Sequence, residues 1–249
     1  MAGTLLDVVI LTWNDGDLLP VCVDSVLASR SVDVSVVVID NGSDPPATVL
    51  DDPRVELVRN DTNRGVAPAR NQGVHRGTAP FVCLLDSDAR VTPAALASMV
   101  AALDAEPGAG LAGPVFVDQA PGASAGSAPT LTRKILRLLN VRDTYASTAR
   151  DEPYWEVDFT IGACQLFRRV AFDLVGGLDE TYFYGPEDVD FCLRLREAGW
   201  RVLQVRDAAV HHPPRRRFRG LLSKRGLQHA RAVARHLWRH RGFKRRAAS

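Results

Sequence analysis

Two aspartates, Asp86 and Asp88, follow an apolar run of β-forming residues and are separated by one serine. Carboxylates with this spacing at the end of a strand can face one cleft and hold a hard cation such as Mg²⁺ or Mn²⁺ through oxygen. A turn is the alternative, because Asp is common after any strand. Asp40 ends an earlier apolar run in the same way, and for it a turn and a ligand-binding role are equally open.

A second acidic group, Glu187, Asp188 and Asp190, opens a stretch with helical spacing. Acidic residues in a first helical turn complement the helix dipole, which accounts for Glu187 and Asp190 without a further role. Asp188 carries an additional expectation, because a carboxylate at the mouth of a cleft that faces a hydroxyl can act as a general base. The sequence thus offers a metal site and a base on separate segments.

Two histidines, His211 and His212, follow the apolar run 202–210. A histidine is more often structural than functional, yet imidazole is the commonest side-chain metal ligand. Either ring could complete a metal site with Asp88.

The elements that must position these residues alternate in type along the first ninety residues. Apolar β-forming runs predict strands at 7–12, 32–39, 55–58 and 81–85. Helical spacing follows the first strand, after Asp15 and Asp17 as possible caps, and recurs at 67–75. Continuous β-branched strands are typical of a parallel sheet covered on both faces. The pattern predicts an α/β fold with a doubly wound sheet, in which ligands bind at the carboxyl ends of the strands.

The later part of the chain continues this pattern and then changes in composition. A helix is expected at about 92–105 and a strand at 111–117. Residues 118–150 lose periodicity and are rich in Ala, Gly, Ser and Pro, which is typical of a variable loop or lid. Order resumes near 154, so we expect one domain over residues 1–212 and a separate tail over 213–249.

The composition fits this organisation. With 249 residues, 46% of them hydrophobic, the chain can bury a full core as one large domain. No apolar run near the start approaches the ~20 residues needed to span a bilayer, and we expect no signal peptide. The four cysteines lack the paired spacing of a zinc or redox site, which predicts buried, reduced thiols in a cytoplasmic protein.

The charge is distributed unevenly. Residues 213–249 hold 13 Lys or Arg and no Asp or Glu, which leaves 18 basic and 29 acidic side chains before them. Such a tail favours anionic partners, whether lipid headgroups, nucleic acid or an acidic protein. Residues 227–238 have the spacing of a basic amphipathic helix, which could lie on an anionic membrane or pack on the domain with a solvated basic face.

Four motifs, in this order and spacing, make the chain resemble the family 2 glycosyltransferases with the GT-A fold, in particular the rhamnosyltransferase-like members. They are VVIDNGS at 37–43, NRGVAPARNQG at 63–73, LLDSD at 84–88, and GGLDE at 176–180 leading into EDVD at 187–190. The match runs from about residue 7 to residue 212. Many relatives continue into further C-terminal helices or domains, whereas this chain continues into the short basic tail.

The resemblance implies a role for each matching residue. The nucleotide-sugar donor would be bound by Thr12, Asn14, Asp40, Asn63, Arg70, Asn71, Asp86 and Ser87. The metal would be bound by Asp88 and His211, with His212 as the competitor of His211. Asp188 would be the catalytic base, and the acceptor side would comprise Trp155, Gly162, Ala163 and Glu187. Trp155 is a candidate stacking platform for a sugar ring, although it could equally belong to the core.

The resemblance also implies a reaction. The donor would be dTDP-rhamnose or a UDP-hexose, and a divalent cation, Mg²⁺ or Mn²⁺, would neutralise the departing nucleoside diphosphate. Asp188 would take the proton of the acceptor hydroxyl as that oxygen attacks from the opposite face, which inverts the anomeric configuration. The acceptor could be a lipid-linked or cell-envelope glycan. The enzyme would be cytoplasmic and could bind peripherally to the inner face of the cell membrane.

Three alternatives remain. A nucleotidyltransferase would need a glycine-rich basic loop after the first strand, whereas residues 12–17 are acidic and contain no Lys or Arg. A nucleic-acid-binding protein acting through the tail would need interleaved aromatic residues, and the tail has only Phe218, Trp238 and Phe243, so no specific nucleic acid is expected. A degenerate transferase that binds donor without turnover conflicts with the retained acidic motifs.

Overall fold

The structure, a computed structural model, describes residues 4–120, 122–128, 151–213 and 224–240. Its strands are β1 (Thr4–Thr12), β2 (Val32–Asp40), β3 (Val55–Arg59), β4 (Phe81–Asp86), β5 (Arg90–Val91), β6 (Ala109–Phe116), β7 (Ala125–Gly126), β8 (Tyr154–Val157), β9 (Phe159–Thr160), β10 (Cys164–Arg168) and β11 (Arg201–His211). The helices of the described residues are α1 (Leu19–Leu27), α2 (Val66–Val74), α3 (Ala95–Ala105), α4 (Arg169–Leu174), α5 (Glu187–Glu197) and α6 (Lys224–Arg239).

One mixed sheet organises the domain. Its strands follow the order β3-β2-β1-β4-β10-β6-β11-β5, and β8 pairs with β11 beside this path. β1 lies between β2 and β4 and is parallel to both. Val8 and Ile10 of β1 pack into one hydrophobic cluster and Val9 into the other, and all three are fully buried. Both faces are therefore covered, which confirms the sheet expected from the continuous β-branched runs.

The second half of the sheet comes from later in the chain. β10 lies between β4 and β6 and is antiparallel to both, while β11 is parallel to β6 and antiparallel to β5 and β8. The sequence pattern indicates only a second compact unit from Gly162 to Val205. The structure shows that the strands of this unit extend the first sheet instead of forming a sheet of their own.

Helices cover the two faces of the sheet. One hydrophobic cluster contains Cys22 of α1 and Met99 of α3, and the other contains Ala69 of α2 and Phe191 of α5. The sheet thus has the doubly wound arrangement that the alternating pattern predicts. All four cysteines are buried free thiols, which confirms the expectation from their spacing.

The beginning of α1 differs from the prediction. No side chain caps this helix, so the expectation that Asp15 or Asp17 does so is wrong. The backbone carbonyl of Asp15 instead accepts hydrogen bonds from the N–H groups of Leu18 and Leu19. The first turn is therefore closed by the backbone of the loop after β1.

Two segments singled out by composition lie partly outside the described residues. Within the expected loop at 118–150, the described part contains β7, which pairs with β9. Within the tail at 213–249, α6 confirms the helical spacing of its apolar residues. In the described ranges, no helix combines the length and the apolar character needed to cross a bilayer. The division into a domain and a tail stays a prediction.

Candidate active site

Arg70 on α2 connects the two acidic motifs. Its guanidinium lies 2.6 Å from Asp86 Oδ1 and 3.3 Å from Glu187 Oε1, and it donates to the Gly162 carbonyl at 2.7 Å. The side chain is only 3% exposed. Burial lowers the pKa of Arg70, but the charges of Asp86 and Glu187 outweigh this effect and raise it overall. One buried cation therefore ties the end of β4 to the start of α5.

The carboxyl end of β4 carries a possible metal site. Asp86, Asp88 and His212 each place one ligand atom within 4.8 Å of the other two. Arg70 occupies one oxygen of Asp86, yet the Asp86 side chain remains 37% exposed and can reach a ligand from solvent. Two carboxylates and one imidazole suit Mn²⁺ and are compatible with Mg²⁺. The donor set therefore fits a divalent cation.

The structure separates the two neighbouring histidines. His212 Nε2 lies 3.6 Å from Asp88 Oδ1, and the Gln119 amide holds the residue through contacts of 3.0 Å to Nδ1 and 2.8 Å to the backbone carbonyl. His211 lies instead against Asp118, at 3.0 Å. His212 follows the last residue of β11, and in this structure its ring is the one that lies within ligand distance of both Asp86 and Asp88. The structure brings His212, the competitor, to the carboxylates, and it adds Gln119, which the sequence did not single out.

Asp188 is fixed at the first turn of α5 by backbone groups. Its Oδ2 accepts a hydrogen bond from the Gly162 N–H and its Oδ1 from the Val189 N–H, both at 2.8 Å. A Cβ atom on residue 162 would lie 2.8 Å from Asp188 Cβ and 2.9 Å from Arg70 Nη1. Glycine is therefore required at 162 for the base, the arginine and this loop to come together, a more specific role than the acceptor-side wall expected for it.

Glu187 and Asp188 form an adjacent acidic pair in the interior. Burial raises the pKa of Glu187 to about 7, with the negative charge of Asp188 adding to the effect and Arg70 opposing it. Burial also raises the pKa of Asp188, against the hydrogen bonds from Gly162 and Val189. A general base needs a pKa near the working pH. Glu187 was expected on the acceptor side, but it is 5% exposed and faces Arg70.

Asp40, at the end of β2, organises the turn that follows it. Its fully buried carboxylate accepts hydrogen bonds from the N–H groups of Ser43 and Ala47, at 2.9 Å and 3.0 Å, and pairs with Arg59 at 3.2 Å. These contacts use both oxygens, so the turn interpretation describes Asp40 in this structure. Its contact with a nucleobase stays a prediction.

The loop after β1 is joined to the same turn. The Thr12 carbonyl accepts a hydrogen bond from the Asn41 N–H at 2.9 Å. Asn14 adopts a left-handed backbone with φ of 57°, its N–H donates to Ser43 Oγ at 3.0 Å, and its Oδ1 accepts from the Asp44 N–H at 2.9 Å. Thr12 is 1% exposed whereas Asn14 is exposed, so of these two residues Asn14 is the one that solvent reaches.

Two asparagines that the resemblance places in the nucleotide cleft, Asn63 and Asn71, bind backbone groups in this structure, and their contact with a nucleotide stays a prediction. Asn63 Oδ1 accepts hydrogen bonds from the Gly65 N–H at 2.9 Å and from Asn41 Nδ2 at 3.1 Å. Asn71 donates to the Leu178 carbonyl at 2.9 Å and accepts from the Leu178 N–H at 3.0 Å. Asn71 therefore fastens the GGLDE motif at 176–180 to α2, which places two distant motifs side by side.

Ser87 and Ala163 lie behind the carboxylates of the LLDSD motif. Ser87 is 2% exposed and its hydroxyl donates to Asp15 Oδ2 at 3.3 Å. The Ala163 carbonyl accepts a hydrogen bond from the Asp86 N–H at 2.9 Å. The Ala163 backbone therefore helps to position Asp86, and Ser87 ties the LLDSD motif to the loop after β1.

The aromatic residue singled out as a sugar platform is in the core. Trp155 on β8 is 5% exposed and belongs to one of the two hydrophobic clusters, so the core alternative describes it. Phe183 and Tyr184 are 41% and 57% exposed and lie just before the EDVD motif. The Phe183 carbonyl accepts a hydrogen bond from the Val66 N–H at 2.8 Å. Two consecutive aromatic residues before Gly185 are the sequence signal for this exposed aromatic surface, and they lie outside the motifs from which the site was predicted.

Comparisons with known proteins bear on the family of the chain. The family model for Glycosyl transferase family 2 matches residues 7–176. The chain is 32% identical over 232 residues to the N-acetylglucosaminyl-diphospho-decaprenol L-rhamnosyltransferase of Mycobacterium tuberculosis (strain ATCC 25618 / H37Rv), with 84% of this chain and 76% of the relative covered. It is 26% identical over 182 residues to the dTDP-rhamnosyl transferase RfbF of Shigella flexneri, with 71% of this chain and 59% of the relative covered.

Solved structures share the fold. GalNAc-T7 with UDP, GalNAc and Mn²⁺ superposes with a TM-score of 0.66 at 18% identity, over 88% of this chain and 45% of that one. The mannosyltransferase PcManGT from Pyrobaculum calidifontis, in complex with GDP-Man and Mn²⁺, gives 0.63 at 20% identity, over 97% of this chain and 65% of that one. The chain thus spans less than two thirds of either solved protein. The family match, the relatives and the shared fold together show that the chain belongs to glycosyl transferase family 2 and is a glycosyltransferase with the GT-A fold.

Proposed function

We propose that this chain transfers a sugar from a nucleoside diphosphate donor to an acceptor hydroxyl with inversion, with dTDP-rhamnose as the first donor candidate and a UDP-hexose as the second. The observation that carries the proposal is the connection, through buried Arg70, of Asp86 in the LLDSD motif to Glu187 in the EDVD motif. The first motif offers metal ligands and the second offers a base. Both requirements of a transfer reaction are thus met within one set of contacts.

The donor side would be organised by Asp86, Asp88 and His212. A divalent cation held by these residues supplies positive charge that offsets the charge of the departing nucleoside diphosphate. Arg70 fixes the orientation of Asp86, and Gln119 fixes that of His212. The Mn²⁺ present in both solved relatives supports a divalent cation here. His212, rather than His211, is the third ligand in this proposal.

The acceptor side would be served by Asp188. Its carboxylate takes the proton of the acceptor hydroxyl while the oxygen forms a bond to the anomeric carbon and the bond from that carbon to the diphosphate oxygen breaks. Attack from the face opposite the leaving group inverts the configuration. The hydrogen bonds from Gly162 and Val189 hold the carboxylate in place, and each carboxylate oxygen keeps a further lone pair for the incoming proton.

The acceptor is proposed to be a sugar on a lipid diphosphate carrier. The name of the mycobacterial relative describes such an acceptor. The exposed rings of Phe183 and Tyr184, a few residues before Asp188, provide surfaces on which a sugar ring can stack. In this proposal they replace Trp155 as the stacking platform for a sugar ring.

The C-terminal helix supports a peripheral position on an anionic membrane. Trp238 is 69% exposed and Arg235 is exposed on the same side of α6, whereas His236 is buried. A tryptophan beside basic residues suits the interface between headgroups and acyl chains. The protein should co-sediment with vesicles containing anionic lipid at low salt, and Arg235→Glu should weaken this binding. Equal binding of the variant would favour a helix that only packs on the domain.

The catalytic proposal is tested by comparing binding with turnover. Thermal stabilisation by dTDP, UDP and their sugars is measured with and without Mn²⁺, since a ligand that binds only the native state raises the melting temperature. Asp188→Asn should keep the metal-dependent stabilisation and lose transfer by ~10²- to 10⁴-fold. Asp88→Ala should lose the metal-dependent part of the stabilisation.

Asp33→Asn is the matched control, because Asp33 is exposed near the amino end of β2, away from the carboxyl edge of the sheet. It should behave as wild type in both assays. If no nucleotide raises the melting temperature, the proposed donor site is contradicted. If Asp188→Asn transfers sugar at the wild-type rate, the assignment of Asp188 as the base is contradicted.

A further inference from the structure

A second group of metal-ligating side chains lies away from the cleft, where the C-terminal helix meets the domain. Asp190 on α5, His236 on α6 and His240 just after α6 each place one ligand atom within 4.8 Å of the other two. We propose that these residues form a binding site for Zn²⁺ that fastens the C-terminal helix to the catalytic domain. The site is independent of the cation proposed for the donor.

The spacing and the type of the ligands support a transition metal. His236 and His240 are four positions apart, so one helical turn brings both rings to the same face. The ring centroids lie 4.9 Å apart, and His240 Nε2 lies 2.9 Å from Asp190 Oδ1. Two imidazoles with one carboxylate form a set that Zn²⁺ binds well, whereas Mg²⁺ and Ca²⁺ prefer oxygen ligands alone.

Neighbouring side chains orient these ligands. His240 Nδ1 lies 3.0 Å from Glu197 Oε1, which directs the other nitrogen of the ring towards Asp190. Arg194 Nε donates to Asp190 Oδ2 at 2.7 Å, which leaves Oδ1 directed towards His240. Carboxylates behind ligating histidines and hydrogen bonds behind ligating carboxylates are the usual support of protein metal sites.

The burial of the group is also that of a structural site. Asp190 is 0% exposed, His236 1% and His240 9%. Side chains of this polarity are costly to bury unless a partner compensates for the lost water. Arg239 Nη1 lies 3.4 Å from Asp190 Oδ1 and defines the competing account, in which ion pairs alone hold the helix. Metal binding at this place separates the two accounts.

The proposed zinc site lies beside the turn of α5 that carries the proposed base. Asp190 and Asp188 both lie in the first turn of α5. A metal that joins Asp190 to His236 would therefore anchor the turn that carries the proposed base, as well as the basic helix. Loss of the metal would free the helix without touching the ligands of the donor cation.

The test is a zinc titration of the full, tag-free chain after removal of bound metal. Competition between the protein and a chromophoric chelator for ZnCl₂ gives the number of equivalents bound. Because Asp86, Asp88 and His212 also suit Zn²⁺, we expect the wild type to bind at two sites. His236→Ala should lose one equivalent and His212→Ala the other, while His75→Ala, exposed at the end of α2, should lose none.

A second measurement guards against variants that lose a site by misfolding. In the His212→Ala background, ZnCl₂ should raise the melting temperature, and adding His236→Ala should abolish this rise, with unchanged circular dichroism before metal is added. If ZnCl₂ leaves the melting temperature of His212→Ala unchanged, or if His236→Ala binds as much zinc as the wild type, the cluster is held by ion pairs alone and the proposal is overturned.

Discussion

Gly162→Ala probes the position of the proposed base without changing any titratable group. The added Cβ would lie 2.8 Å from Asp188 Cβ, 2.9 Å from Arg70 Nη1 and 3.1 Å from Asp188 Oδ2. Non-bonded carbon atoms normally approach to ~3.5–4.0 Å, so the two Cβ atoms must separate by about 0.7–1.2 Å. Arg70 cannot move away easily, because Asp86 and the Gly162 carbonyl both hold it.

The displacement therefore falls mainly on Asp188. A misplacement of ~1 Å can lower a rate by about 10²-fold. We expect kcat of Gly162→Ala to fall by about this factor. The crowding should also lower the free energy of unfolding by ~1–3 kcal/mol, as for other overpacked sites.

The assay measures kcat for sugar transfer at saturating donor, together with the stabilisation by nucleotide and Mn²⁺. Gly108→Ala is the matched control, because its added Cβ would meet only Arg201 side-chain atoms at 3.7 Å and 3.8 Å, which is ordinary contact. The control should keep wild-type kcat. Wild-type kcat in Gly162→Ala, with the protein folded and Asp188 displaced in its structure, would refute the reasoning that this carboxylate is the base.

Further outcomes follow from the site and its surroundings. Arg70→Met should lower the free energy of unfolding by ~3–5 kcal/mol in urea titrations, because it leaves buried carboxylates without their cation. Burial raises the pKa of Glu187 from 4.5 to about 7, so the stabilisation that this proton gives the folded state is full below about pH 4.5 and is lost as the pH rises through about 7, which urea midpoints against pH will show. Because burial also raises the pKa of Asp188, transfer should rise with pH as that carboxyl group loses its proton, which a pH–kcat profile measures. Glu187→Gln removes the neighbouring negative charge, so the acidic limb of the pH–kcat profile should move to lower pH. Tyr184→Ala should raise KM for the acceptor, whereas Trp155→Phe should lower the melting temperature and leave that KM unchanged.

The parts of the fold that the sequence predicted are those set by local patterns. Continuous β-branched runs gave β1 and β2, and the helical spacing at 67–75 gave α2. The antiparallel insertion of β10 was not predictable in this way, because it depends on pairing with β4 and β6, which lie far earlier in the chain. β8 shows an alternating burial pattern, but its pairing with β11 also depends on residues far away in the chain.

The residues of the candidate site also divide into those that a local pattern predicts and those that depend on distant contacts. Asp86, Asp88 and Asp188 stand out by type and position. The buried contact between Arg70 and Glu187 joins residues 117 positions apart, and no local pattern signals it. The choice between His211 and His212 depends on where each side chain points at the end of β11, and two adjacent histidines carry no local pattern that separates them. Side chains that hold backbone, such as Asn71, resemble ligand-binding residues until their partners are known.

The place of β10 in the sheet also has a consequence for the order in which the protein can fold as it is synthesised. β4 and β6 leave the ribosome first, yet they do not pair with each other, because β10 lies between them. Until residue 168 has emerged, each presents an open edge with unsatisfied backbone groups. Nascent chains halted before this residue should therefore recruit holding chaperones and resist release as soluble fragments. Chains halted soon after it can join β4 to β6 through β10, although β6 keeps its other edge open until β11 has emerged.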